Sequence, residues 1–334
     1  MYYSGSYYSG LKVGQPNEYD LNIVLYNEAL MQYSKLVESH PGFLQIQVNM
    51  KGFRQDEALM TGTAQAQFEG LLSGSGGLKN LMPKAVNQWL FNVVKKAYGL
   101  VPKKIELDNA GFRKIKHFDI EQNGPALTLM LELTNGHKVD LDLVPVLPFK
   151  PKRLRKFDMR PNLVQPQWLR KETGLPKAYR MDVSSGLRMD FFAIPKLGPS
   201  DLDWGIHFPS AEKKIIKNLG CVKPVIRYLK LFRDTNQPLS KVKSYVLVTV
   251  VMKMIRGDFN FWIQNSPFLC FLSALENLEK AIRIGYCGWF FNEKCNILPE
   301  KYYPPQKCAE MSNFLRKAIC DMKRSEKNWR VYFK

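Results

Sequence analysis

The sequence predicts a mixed α/β (α+β) fold in two lobes. A mixed-sheet core is expected over residues 1–205 and a C-terminal helical lobe over 206–334. Three observations lead there. Segments 18–25, 126–133 and 138–147 carry apolar side chains with the look of strands, and 43–48 alternates in the same way. From about residue 206 the apolar spacing changes to that of helices. The chain has 334 residues, enough to give two lobes a real core.

Taken in order, the chain opens with Gly5-Ser6-Tyr7-Tyr8, a turn sequence, and then Pro16-Asn17-Glu18-Tyr19-Asp20-Leu21-Asn22-Ile23. In the strand that follows the turn, Glu18, Asp20 and Asn22 share one face and Tyr19, Leu21 and Ile23 the other. Phe43–Val48 is a second strand, and Leu71–Gly77 has the composition of a flexible loop. Pro83 opens a helix with Val86, Trp89, Leu90, Val93 and Val94 on one side. Lys95, Lys96, Lys103 and Lys104 come next. Strands are expected at 112–118, 126–133 and 138–147, with Asn135-Gly136 as a hairpin turn between the last two. Residues 149–160 hold six basic side chains in twelve positions, a candidate phosphate-backbone contact or a solvated loop. The Pro-rich stretch 150–185 reads as a connection. Helices are expected at 211–219, 221–233, 239–255, 268–282 and 307–323, the third of them apolar on most sides and therefore buried.

Composition narrows the function classes. The net charge is +19, a surplus that suits a polyanionic partner. Six cysteines occur without a C-x-x-C pair, and four histidines are scattered, so neither a disulfide scaffold nor a zinc cluster is expected. The cysteines read as reduced thiols in a cytoplasmic protein. The longest apolar run, Tyr245–Met252, is far short of a membrane span.

Chemistry centres on the acids. Carboxylates at i and i+2 of a strand lie roughly 7 Å apart and point the same way, so Glu18 and Asp20 can reach one divalent ion or a close pair. A third acid comes from Lys138-Val139-Asp140-Leu141-Asp142-Leu143-Val144-Pro145-Val146, where Asp140 and Asp142 share a face. Gly5 lets backbone approach a phosphate, and Ser6 adds a hydroxyl. A Gly-Ser pair, an acid-x-acid strand and a later acid on an apolar strand, in this order, match the nucleotidyltransferase pattern.

The resemblance is closer than that pattern. Tyr3–Tyr8 with Pro16–Asp20 resembles the active-site segment of cyclic GMP-AMP synthase and its animal relatives, the cGAS-like receptors of the male-abnormal family. Agreement recurs at Gly124–Leu129, Phe191–Lys196, Trp204–Lys213, Ile226–Lys230 and Lys243–Tyr245. The resemblance implies a bilobal nucleotidyltransferase fold and two-metal catalysis with Mg2+ or Mn2+. It implies Glu18, Asp20 and Asp142 as catalytic metal ligands, Asp142 being aligned through Leu143–Leu147 and Asp140 the fallback. It implies nucleotide contacts from Ser6, Glu18, Asp20, Arg227, Lys243, Ser244 and Tyr245. Arg227 stands where the family has a triphosphate-reaching lysine. Tyr245 would stack on a base, so its replacement by Phe is expected to be mild.

Three departures bear on the expectations. The Gly5 turn stands almost at the N-terminus, where the family has a long preceding helix; a shortened sequence is expected. Gly205 lies where vertebrate members carry a base-reading arginine. Gly220-Cys221 joins two helices where vertebrate members carry a zinc insertion, so no structural zinc is expected and the invertebrate type is indicated. For that type the resemblance implies an enzyme making a cyclic dinucleotide from ATP and GTP in antiviral innate immunity. Double-stranded RNA rather than DNA is its expected activator, with a homodimer on nucleic acid. Lys213, Lys214, Lys217 and Lys223 are the candidate nucleic-acid contacts. The competing readings are a non-catalytic scaffold or developmental protein of the same family, and a polymerase making linear oligonucleotides.

Overall fold

The computed structural model describes residues 1–3, 5–14, 17–55, 62–100, 115–124, 126–154, 191–196, 198–217 and 219–333. Lys103, Lys104 and residues 112–114 and 155–185 of the expected elements lie outside the described residues. The described residues fall into two compact units. One carries the sheet and runs to Ser210; the other begins at Ala211 and includes Gly10–Val13. No helix among the described residues is long and apolar enough to cross a membrane.

In the first unit the fold is mixed α/β, as the sequence predicts. The strands are β1 (Tyr2–Tyr3), β2 (Glu18–Val24), β3 (Ser34–His40), β4 (Phe43–Asn49), β5 (Leu72–Ser73), β6 (Leu78–Leu81), β7 (Ile115–Asn123), β8 (Ala126–Leu133), β9 (Lys138–Phe149), β10 (Phe191–Ile194) and β11 (Trp204–His207). The helices are α1 (Gly5–Tyr8), α2 (Glu28–Tyr33), α3 (Met50–Gln55), α4 (Gly62–Glu69) and α5 (Pro83–Leu100). The sheet order is β1-β2-β9-β10-β11-β4-β6-β5, with β3 beside β4 and β8 beside both β7 and β9.

Strand β9 is the spine. Its first part pairs in parallel with β2 and antiparallel with β8, and Leu147–Phe149 pair with β10. Alternation works as expected: Leu21, Leu127 and Leu143 form a buried layer on one face, packed by Tyr8, Ile23, Phe91, Val94, Ile120 and Leu129. Strand β4 buries Leu44, Ile46 and Val48 completely.

Several expectations need correction. The stretch expected to be a flexible loop contains β5, whose Leu72 and Ser73 pair with Leu81 and Asn80. Val93 is exposed, and Phe91 takes its place against the sheet. In the basic cluster Arg153 is spent internally: its guanidinium donates to the Ser34 hydroxyl and carbonyl at 3.1 and 2.8 Å.

The second unit is helical: α6 (Pro209–Lys217, entering from the first unit), α7 (Val222–Thr235), α8 (Ser244–Gly257), α9 (Phe259–Gln264), α10 (Pro267–Arg283) and α11 (Pro305–Arg324). Helix α8 is apolar nearly all round, burying Val246 through Met252 and Ile255. It starts at Ser244 rather than Leu239. Pro238 turns Gln237–Leu239 into a 3-10 segment, and Lys243 is extended. Ser266 caps α10, accepting from the Leu269 N–H at 3.3 Å, with Pro267 at the first position.

Leu143→Ala should lose about 2–5 kcal/mol by opening the leucine layer. Val93→Ala, on the exposed side of α5, should stay within about 0.5 kcal/mol. Chemical denaturation of the two variants checks this; equal losses would contradict a core built on the leucine layer.

Candidate active site

Parallel register sets the acids. Asp20 lies opposite Asp142, and Glu18 opposite Asp140. Strand partners in register project to the same face, the one opposite the leucine layer. One carboxylate oxygen from each of Glu18, Asp20 and Asp142 lies within 4.8 Å of the other two. Asp140 is more exposed than Asp142 and is not part of this group. Three hard oxygen donors at this spacing fit Mg2+ or Mn2+, because a divalent cation offsets the repulsion among the carboxylates. The Thr128 hydroxyl donates to Asp142 Oδ1 at 2.6 Å. Asn22, on the same face of β2, is buried with its amide nitrogen lacking a partner.

The Gly5 turn is fitted onto this strand. Gly5 has φ +75°, and an added Cβ would lie 1.6 Å from Asp20 Oδ2. Only glycine meets both demands, the left-handed backbone and the close approach. The turn is pinned by rings: Tyr7 and Tyr8 lie 4.6 and 6.2 Å from Tyr19, and Tyr3 lies 4.7 Å from Tyr8. Ser6 follows directly and is half-buried. At Gly205, an added Cβ would come within 3.0 Å of Lys196 Cβ, so the lysine stem fills the space a side chain there would need.

In the second unit, Arg227 is exposed on α7 and its Nε donates to the Gly10 carbonyl at 2.8 Å. Lys223, one turn earlier, reaches the same glycine: its Nζ and Arg227 Nη2 would lie 3.4 and 3.8 Å from a Cβ there. Lys223 thus groups with Arg227. On α6, Lys214 and Lys217 are exposed, whereas Lys213 is half-buried, and burial pushes its ammonium below the ordinary lysine range.

Tyr245 is half-buried, with its hydroxyl enclosed. The hydroxyl donates to Glu212 Oε1 at 2.5 Å and accepts from Trp289 Nε1 at 2.7 Å. Burial first, then the Glu212 carboxylate, holds this phenol well above the ordinary range, so it stays protonated. Ser244 accepts from Arg233 Nη1 at 2.8 Å, and the Lys243 ammonium sits 4.6 Å from the Tyr302 ring centre. Between α6 and α7, the Cys221 thiol donates to the Trp262 carbonyl at 3.0 Å and lies 3.9 Å from Cys270 Sγ.

The sequence reading missed Thr128, Glu212, Trp289 and Gly10. Thr128 had a weak signal, standing in the apolar strand that precedes the third acid. The other three sit far along the chain from the residues they hold.

Gly5→Ala should displace Asp20 and weaken Mn2+ binding to the folded protein, which calorimetry checks. Tyr245→Phe removes the hydroxyl's bonds to Glu212 and Trp289 and should lower stability by about 1–3 kcal/mol. Thermal melting measures this. The loss should hold through neutral pH and shrink only above the ordinary phenol range, where the phenol ionises in the unfolded chain while the folded hydroxyl is still held protonated.

Comparison with known proteins agrees with the geometry. A family model described as the Mab-21 protein nucleotidyltransferase domain matches residues 7–218, and one described as the Mab-21 protein HhH/H2TH-like domain matches residues 221–317. A cyclic GMP-AMP synthase-like receptor from Aethina tumida is 27% identical over 315 residues, covering 89% of this chain and 69% of the relative. One from Tribolium castaneum is 25% identical over 341 residues, 98% of this chain and 77% of the relative. Cyclic GMP-AMP synthase-like receptor 1 of Drosophila melanogaster is 24% identical over 308 residues, 89% and 72%. A sheet that gathers three carboxylates, followed by a helical unit, is in this chain the framework of a cGAS-like nucleotidyltransferase, and the chain belongs to the Mab-21 family.

Proposed function

We propose that this protein links ATP and GTP into a cyclic dinucleotide second messenger when it binds nucleic acid. The grouping of Glu18, Asp20 and Asp142 carries the reading. A complete acid set supports an enzyme over a non-catalytic scaffold of the same family.

Glu18, Asp20 and Asp142 would hold Mg2+ or Mn2+. Metal held there would supply charge to offset a triphosphate and to make an attacking hydroxyl more acidic. The chain's own residues do the positioning. The Gly5 backbone and Ser6 hydroxyl meet the phosphates. Arg227 and Lys223 form a cation pair without a carboxylate partner among the described contacts, which suits a phosphate. Tyr245 would stack on a base, with Lys243 and Ser244 beside it. Catalysis of this kind is mainly orientation and electrostatics.

Double-stranded RNA is the activator proposed, engaged through phosphates by Lys214 and Lys217, with Lys213 contributing less because it is partly buried. Pairing of two protomers on one duplex goes with that. The cysteines are free thiols, which suits the cytoplasm.

The test is incubation with all four labelled nucleoside triphosphates, Mn2+ or Mg2+, and matched duplex RNA, duplex DNA or single strands. A cyclic product stimulated by duplex RNA, falling steeply with salt, is expected. Asp142→Asn should abolish turnover with the fold intact, while Asp140→Asn keeps it. Linear products would overturn the cyclic product; stronger stimulation by DNA would overturn the activator; activity surviving Asp142→Asn would overturn the site.

A further inference from the structure

We infer that Thr128 is the positioning residue of the acid cluster, holding the Asp142 carboxylate in the orientation that lets three acids converge. The inference rests on reading that cluster as a metal site. Thr128 stands on β8 directly opposite Asp142 in the antiparallel pairing with β9. It is 8% exposed, and its Oγ1 lies 2.6 Å from Asp142 Oδ1. An ionised carboxylate only accepts, so the single hydroxyl proton belongs to this bond. The length is that of a charge-assisted O–H···O− bond. β-Branching restricts the threonine rotamer, so the donor is itself fixed. With Oδ1 held, the carboxylate plane of Asp142 cannot turn freely.

The neighbouring acid is the internal comparison. Asp140 lies on the same strand face, but its partner on β8 is Met130, which has no donor. Asp142 joins Glu18 and Asp20, and Asp140 does not. Spacing along β9 treats the two acids alike; the residue across the strand separates them. A ligating carboxylate oriented by an outer hydrogen bond binds metal more tightly, and losing that bond commonly costs about 10–100-fold in affinity.

The experiment measures Mn2+ binding to the full chain by electron paramagnetic resonance, with Thr128→Val, Thr128→Ser and Thr128→Ala compared with wild type. Thr128→Val keeps the shape and removes the donor; it should weaken Mn2+ binding about 10–100-fold. The Mn2+ concentration needed for half-maximal turnover should rise by the same factor. Thr128→Ser keeps the hydroxyl and should return binding close to wild type. If Thr128→Val does not fold, the comparison of Ala with Ser decides in the same way. Wild-type affinity in the folded Val or Ala variant would overturn the inference, as would a Ser variant as weak as Ala. A wild-type chain that binds no Mn2+ would instead sink the metal-site reading itself.

Discussion

The parallel pairing of β2 with β9 is the constraint on which the rest depends. It sets Asp20 against Asp142 on one face and Leu21 against Leu143 on the other. Three carboxylates within 4.8 Å repel one another, so the acids themselves oppose this register. The leucine layer favours it. Slipping β9 by one residue would turn Asp142 into the apolar layer and Leu143 out of it, an exchange with no compensating contact. Stability and site geometry therefore rest on the same alternation, and hydrophobic burial holds the charges together.

The pairing also explains why a long stretch of chain separates the acids. Parallel strands cannot be joined by a tight turn. The connection between β2 and β9 is used to build β8, which returns antiparallel along the other edge of β9 and places Leu127 in the core and Thr128 on the acid face. One strand thus completes both sides of the sheet at the point where the acids meet.

Much of this was legible in the sequence, and the limits have physical causes. The period of two identified β2 and β9 and put Glu18, Asp20 and Asn22 on one face. The same period could not rank Asp140 against Asp142, because both obey it. Across the sheet Thr128 faces Asp142 and Met130 faces Asp140. Helical periodicity found α8 as a buried helix but set its start at Leu239, since apolar residues continue through the 3-10 turn that precedes it. Lys223 and Arg227 stand one turn apart, so their adjacency could be read from spacing. Their shared contact, Gly10, lies 217 residues from Arg227 and could not. Tyr245 looked like either a core residue or a stacking ring; the structure leaves it half-buried, with its hydroxyl bonded to Glu212 and Trp289.

A single design runs through these contacts. Several residues with a proposed chemical role are held by a neighbouring group. Asp142 is held at Oδ1 by Thr128, Asp20 lies against the Gly5 backbone, and Tyr245 is fixed at its hydroxyl by Glu212 and Trp289. Arg227 uses Nε on the Gly10 carbonyl, which leaves its terminal amino groups for other acceptors. Side chains restrained this way lose little further rotamer freedom on meeting a ligand, so more of the contact energy goes into binding and orientation. The same logic predicts where substitution is most costly. Changing a restraining residue releases the side chain it holds, and such residues are hard to find by spacing alone because each reaches its partner through the fold.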